Sequence, residues 1–286
     1  MIKLIASDMD GTLLNSNHKI SRGNIEAIKK AEKIGVKFAI STGRMYEDVK
    51  PLLEECNLKC QCIVLNGGEY IDEEGKVLEG IYIDKKEARE VINMIIKEKI
   101  VAEMYTNDGL YSVNTEEEAL TQVAYRIRVF DPETSLEDAL KLAKLHPHFV
   151  NLKYVKNIDE FLSSDVKIGK FVAFYNDEET TRKVKRKLES IEGLVIASTF
   201  TKNIEINNKE AQKGLILAKV AEKMGLKKDE VMIIGDSFND YSMFTEFTES
   251  FAMENAVPEI KEIAKYITDT NDNDGVAKAI YKVLNL

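Results

Sequence analysis

The chain has 286 residues and a formal net charge of −9, long enough for a large buried core in one or two domains. An acidic balance without a basic block argues against nucleic acid or an anionic membrane surface as the main partner, and it makes a local cation necessary wherever an anionic substrate must approach. No apolar run nears the length of a membrane span, no secretory leader is visible, and Cys56, Cys60 and Cys62 lack a fourth ligand nearby, so the expectation is a cytoplasmic protein with reduced thiols and no zinc site.

The apolar run Leu4-Ile5-Ala6, bounded by Ser7 and Asp8, predicts a buried strand. Asp8 and Asp10 follow at its end, with Gly11 and Thr12 behind them. Open α/β sheets bind ligands beyond the carboxyl ends of their strands. Two close carboxylates need a cation, a shared proton or solvent. Mg²⁺ suits one or two carboxylates plus phosphate oxygens. A carboxylate can itself attack phosphorus, and a second acid can protonate a leaving group and later activate water. A solvated Asp-Gly turn is the other reading.

Ser21 is placed to cap a helix carrying Ile25, Ile28 and Ile34 and stopping at Gly35. A second strand over 37–40 ends in Ser41-Thr42-Gly43-Arg44, which suggests a right-handed parallel βαβ unit. Hydroxyls, amides at a helix start and an Arg suit a phosphate, although taken alone a Thr cap and a surface Arg explain them better. Pro51 is expected to divide the next helix or start a new one. A third strand over 62–65 leads to Asn66-Gly67-Gly68 and a hairpin through Tyr70 and Val77. Asn66 is read first as a turn residue.

From Asp84 the pattern changes. A helix is predicted over 85–99, then paired strands around the Asn107-Asp108-Gly109 turn. Helices over 115–128 and 135–145, strands over 150–155 and 166–175, a helix over 178–190 and a strand over 194–198 follow. His146 and His148 in this stretch are expected as solvated loop residues. The earlier style then returns with a strand over 204–206, a helix opening at Lys213-Gly214, and a buried strand over 231–234 that ends in Gly235-Asp236-Ser237-Phe238-Asn239-Asp240. That loop can hold a hard cation and point an amide at a phosphate, or cap a helix. Strands near 250–253 and 266–267 and helices over 257–264 and 275–284 complete the chain.

Asp8-Met9-Asp10-Gly11-Thr12, Ser41-Thr42-Gly43-Arg44, Lys213-Gly214 and Gly235-Asp236-Ser237-Phe238-Asn239-Asp240 resemble the four ordered motifs of the haloacid dehalogenase superfamily. The insert between the second and third motifs, the Asn66-Gly67 turn and Asp274-Gly275-Val276-Ala277 resemble its Cof-type phosphatases. The resemblance covers the whole chain. It implies an α/β fold: a Rossmann-like parallel-sheet core over 1–83 and 201–286 with an inserted α/β cap over 84–200. It further implies Mg²⁺-dependent phosphomonoester hydrolysis, with Asp8 as nucleophile and Asp10 as general acid/base. Asp8, the Asp10 main-chain carbonyl and Asp236 would hold Mg²⁺. Thr42, Lys213, Asn239 and the amides of Met9 and Gly43 would hold the phosphoryl group, and Asp240 would orient Lys213 or a metal-bound water. Glu254 stands where the family often has Gly, which bears on substrate preference. The expected partner is a small phosphorylated metabolite, with sugar phosphates the leading class. A phosphomutase on the same scaffold and a non-catalytic sugar-phosphate sensor are the competing readings. Substrate identity and oligomeric state are not legible.

Overall fold

The computed structural model describes residues 1–198 and 201–285. The chain divides into two compact units, Met1–Ile81 with Glu210–Leu286, and Tyr82–Lys209.

Among the described residues the first unit is built on a sheet in the order Tyr266–Ile267, Glu249–Ala252, Val231–Gly235, Leu4–Ser7, Lys37–Ser41, Gln61–Val64, Glu69–Ile71, Val77–Gly80. The first six strands run parallel, and the last two form the antiparallel hairpin expected around Tyr70 and Val77. Leu4–Ser7 and Val231–Gly235 are buried throughout, as central parallel strands covered on both faces must be. Their register places Ser7 beside both Ile234 and Ile40. Asp8, Asp236 and the Ser41-Thr42 segment therefore leave the sheet at one edge.

Helix Arg22–Lys33 begins where Ser21 caps it, the hydroxyl accepting from the Asn24 N–H at 3.1 Å. The expectation for Pro51 is corrected: it sits inside a single helix, Tyr46–Cys56. Pro51 removes one intrahelical bond, to the Glu47 carbonyl, while Val49 and Leu53 on either side are buried and hold the turn in place.

The second unit has a sheet in the order Leu194–Ala197, Asn203–Asn208, Ile168–Phe174, Glu103–Thr106, Gly109–Ser112, Lys153–Tyr154. Alternate side chains divide between its faces. Met104, Phe171, Ala173, Ile204 and Ile206 pack with Val91, Ile92 and Ile95 of helix Lys85–Glu98. Glu103, Tyr105, Lys170, Asn203, Glu205 and Asn207 occupy the opposite face, also buried. There Lys170 pairs with Glu205 at 2.8 Å, and Gln122 of helix Glu116–Phe130 donates to the Val172 carbonyl at 3.0 Å.

Three expectations need correction here. Asn203–Asn208 pairs antiparallel with Ile168–Phe174, so this strand belongs to the inserted unit and the boundary lies near residue 209, not 200. The strand expected over 150–155 is a short helix, Pro147–Val150, followed by the two-residue strand Lys153–Tyr154, since Pro147 supplies a helix start. His148 is not solvated: it is 6% exposed, and its Nδ1 lies 2.8 Å from Glu103 Oε2.

Burial pushes the Glu103 carboxyl up, but His148 beside it, helped by Arg126 and His146, outweighs that and holds it below the usual carboxylate range. A depressed carboxylate stabilises the fold above its unfolded pKa, and that contribution is lost as pH falls through the folded value. Glu103→Gln is therefore expected to lower the unfolding free energy from urea titration at neutral pH by about 1–3 kcal/mol, the cost of a buried hydrogen-bonding group left imperfectly satisfied. It should also flatten the acid loss of stability below about pH 4.5, the unfolded carboxyl range. An unchanged acid limb in a urea titration series would contradict this assignment.

Candidate active site

The loop after Leu4–Ser7 turns at once. The Met9 carbonyl accepts from the Thr12 and Leu14 amides at 3.2 and 2.9 Å. Gly11 takes φ +79°, and a Cβ there would lie 2.5 Å from Asp236 Oδ2. The position thus needs glycine both for its left-handed backbone and for space. The turn brings Thr12 Oγ1 to donate to Asp236 Oδ1 at 2.6 Å, tying the first acidic strand end to the second.

Lys213, the first residue of helix Lys213–Lys223, is completely buried. Its ammonium donates to Asp8 Oδ1 at 2.7 Å and to Asp240 Oδ1 at 2.6 Å. The second Asp240 oxygen accepts from the Asp236 and Ser237 amides at 2.9 and 3.1 Å. Both of its oxygens are therefore engaged in holding Lys213 and the loop. The helix is seated by close contact: a Cβ on Gly214 would lie 2.1 Å from the Ser242 carbonyl oxygen.

Thr42 is buried at the end of Lys37–Ser41. Its hydroxyl accepts from the Arg44 amide at 3.2 Å, and its carbonyl accepts from the Asn66 amide at 3.0 Å. Asn66 serves the turn, as expected, and also reaches the site. It turns the chain at φ 60°, and its side-chain oxygen accepts from Asn239 Nδ2 at 3.4 Å. The Thr42-Gly43 and Asn239 segments are thus bridged through Asn66.

Asp10 is held differently. Arg44 Nε donates to its Oδ2 at 2.8 Å and Nη2 to its Oδ1 at 2.6 Å, so the Arg is neither a simple surface residue nor defined by phosphate alone. Reading the motifs missed this pairing, because nothing in the spacing of Asp10 and Arg44 announces it. Asn255 was also missed. Its Nδ2 donates to the Gly11 carbonyl at 2.7 Å and its Oδ1 accepts from the Asn271 amide at 3.0 Å, bracing the acid loop from the tail. Glu254 beside it points outward, exposed and 3.4 Å from Lys261, and its backbone lies outside the left-handed region.

Electrostatically the cluster is short of positive charge. Asp8, Asp236 and Asp240 present oxygens within 4.8 Å of one another, against one ammonium. Burial, with the charges of Asp240 and Asp236, holds the Asp8 carboxyl well above its usual range despite Lys213. Burial, then Asp240, pushes Asp236 up to about 7. Burial opposes the charge of Lys213, yet Asp240 and Asp8 outweigh it and drive its pKa upward. Lys213 therefore stays charged and the two acids stand ready for a further cation. A hard divalent ion with oxygen ligands fits this donor set.

Comparison with known proteins follows the same lines. The family profile for haloacid dehalogenase-like hydrolases matches residues 5–280. Phosphatase YwpJ of Bacillus subtilis is 32% identical over 99% of this chain and 100% of its own. The 5-amino-6-(5-phospho-D-ribitylamino)uracil phosphatase YwtE of the same organism is 32% identical over 99% of both. A solved haloacid dehalogenase-like hydrolase from B. subtilis superposes with a TM-score of 0.84 at 31% identity, covering 98% of this chain and 99% of that one. Among the described residues, no helix is long and apolar enough to cross a membrane.

Proposed function

This chain belongs to the haloacid dehalogenase superfamily as a Cof-type phosphatase, and on that premise we propose that it hydrolyses small phosphorylated metabolites with Mg²⁺, in the cytoplasm, through an aspartyl-phosphate on Asp8. The observation that carries the reading is the buried Asp8–Lys213–Asp240 triad beside Asp236. It is a costly arrangement for packing alone and a productive one for phosphoryl transfer. Sugar phosphates are the leading class. The relative named for a ribitylaminouracil phosphate supports a phosphate on a polyol chain.

Asp8, Asp236 and the Asp10 main-chain carbonyl would hold Mg²⁺, which when bound supplies Lewis-acid polarisation and offsets repulsion between carboxylate and phosphate. Lys213 spends two of its three donors on Asp8 and Asp240 and offers the third to the phosphoryl group. Thr42, Asn239 and the Met9 and Gly43 amides complete its cradle. A carboxylate oxygen of Asp8 attacks phosphorus as the bond to the leaving alkoxide breaks, and Asp10 gives that alkoxide its proton. Water then attacks phosphorus, Asp10 takes up its proton, and the bond to Asp8 breaks to release orthophosphate.

The test is phosphate release from a panel of phosphorylated metabolites, with Mg²⁺ and with chelator. Release that needs Mg²⁺ and favours a few compounds is expected. Added Mg²⁺ should also raise the thermal midpoint, since a ligand at about 100 times its Kd stabilises by roughly 2.7 kcal/mol. Isomerised sugar phosphate without free phosphate would favour a mutase, and binding without turnover a sensor.

A further inference from the structure

We propose that Arg44 is the positioning residue for Asp10, aiming the proton-transferring carboxylate from a neighbouring loop; the inference rests on the phosphatase reading above. The Asp10 side chain is bound at both oxygens by one planar guanidinium, through Nε at 2.8 Å and Nη2 at 2.6 Å. Such a two-point contact fixes the plane of a carboxylate as well as its place, which a single point charge cannot do. Both side chains are about a quarter exposed, at 26% and 24%, so the pair sits at the rim of the site where a substrate's leaving group would depart.

The clamp is itself anchored. The Arg44 amide donates to Thr42 Oγ1 at 3.2 Å, and its carbonyl accepts from the Leu65 amide at 2.9 Å. Leu65 and Asn66 hold left-handed backbone, at φ 55° and 60°, so the third strand's end fixes the residue that holds Asp10. The loop carrying Thr42 would thus have two tasks: the Thr42 hydroxyl and the Gly43 amide would hold the phosphoryl group, and the Arg44 guanidinium sets the acid. A general acid must lie within hydrogen-bond reach of the atom it serves, and small misplacements are expensive in rate. Proton transfer to the alkoxide then depends on a side chain that itself carries no proton in the reaction.

The experiment compares kcat/KM for an alkyl phosphomonoester and for p-nitrophenyl phosphate in wild type, Arg44→Ala, Arg44→Lys and Asp10→Asn, with Mg²⁺ present and thermal midpoints measured alongside. kcat/KM reports the first transfer, in which an alkoxide needs the proton and a nitrophenolate scarcely does. Positioning by Arg44 predicts that Arg44→Ala lowers kcat/KM for the alkyl ester by about 10- to 100-fold, a part of the acid's full contribution. The nitrophenyl ester should fall far less, and Arg44→Lys should recover part of the loss. Arg44→Ala added to Asp10→Asn should cost little more. Equal losses on both esters would reduce Arg44 to a structural role, and a raised KM with weaker inhibition by orthophosphate would make it a phosphate ligand. Either result overturns the inference alone. Full activity in Asp10→Asn, or no turnover by wild type, overturns the phosphatase reading and the inference with it.

Discussion

Asp8→Asn is expected to abolish turnover, by at least about 10⁴-fold as for other covalent nucleophiles, while leaving the thermal midpoint unchanged or higher. Asn matches Asp in shape but cannot form the acyl phosphate. The stability half of the expectation comes from the surroundings. Burial and the charges of Asp240 and Asp236 hold the Asp8 carboxyl well above its usual range, so its ionised form is a net cost to the fold. Lys213 would keep its contact with Asp240 at 2.6 Å. A variant that is inactive and fully folded separates chemistry from packing, and a variant that is active removes Asp8 from the mechanism.

Lys213→Met is expected to fail in both respects. Methionine fills the fully buried volume but leaves Asp8 and Asp240 facing each other without a cation. Breaking a buried ion pair by removing one partner costs about 3–5 kcal/mol. Losing a fixed donor to the transferring phosphoryl group costs at least about 10²–10³ in rate. The raised Asp8 carboxyl can relieve the repulsion by taking a proton, so the stability deficit should be smallest in acid and grow as pH rises. Urea unfolding across pH measures the first effect and kcat the second. Normal stability at neutral pH would mean that the cluster tolerates its charges without Lys213.

The contrast between these variants shows what the linear chain could and could not disclose. The strand ends and their acids were legible, because apolar runs stopping at Asp-Gly or Gly-Asp punctuate themselves. Helix 275–284 was likewise legible, and Gly275–Leu284 matches it at both ends. The gathering of Asp8, Lys213, Asp236 and Asp240 into one cluster follows from parallel register, which places the first and second acidic ends side by side. That register depends on pairing between residues over 200 apart, and motif resemblance rather than local pattern pointed to it.

Where local pattern alone was available, it failed in an understandable way. Strand Asn203–Asn208 carries only Ile204 and Ile206 as apolar residues, and only its antiparallel partner Ile168–Phe174 reveals which unit it joins. His148 reads as a solvated loop residue because it flanks Pro147 far in sequence from the acidic motifs. Its partner Glu103 lies 45 residues earlier, and a buried pair of that separation leaves no periodic trace. Arg44 carries two local explanations, a surface position and phosphate contact, and the structure adds a third through Asp10. Helix Ile158–Ser163 was not anticipated, since a six-residue helix offers less than two turns of periodicity.

The most direct test of the central claim is to quench the enzyme during turnover of a phosphomonoester in Mg²⁺ and map the protein by mass spectrometry. The account predicts one acid-stable, base-labile phosphoryl group on the peptide containing Asp8, absent from Asp8→Asn. Turnover without any phosphoryl group on that peptide, or with one on a different residue, would contradict it.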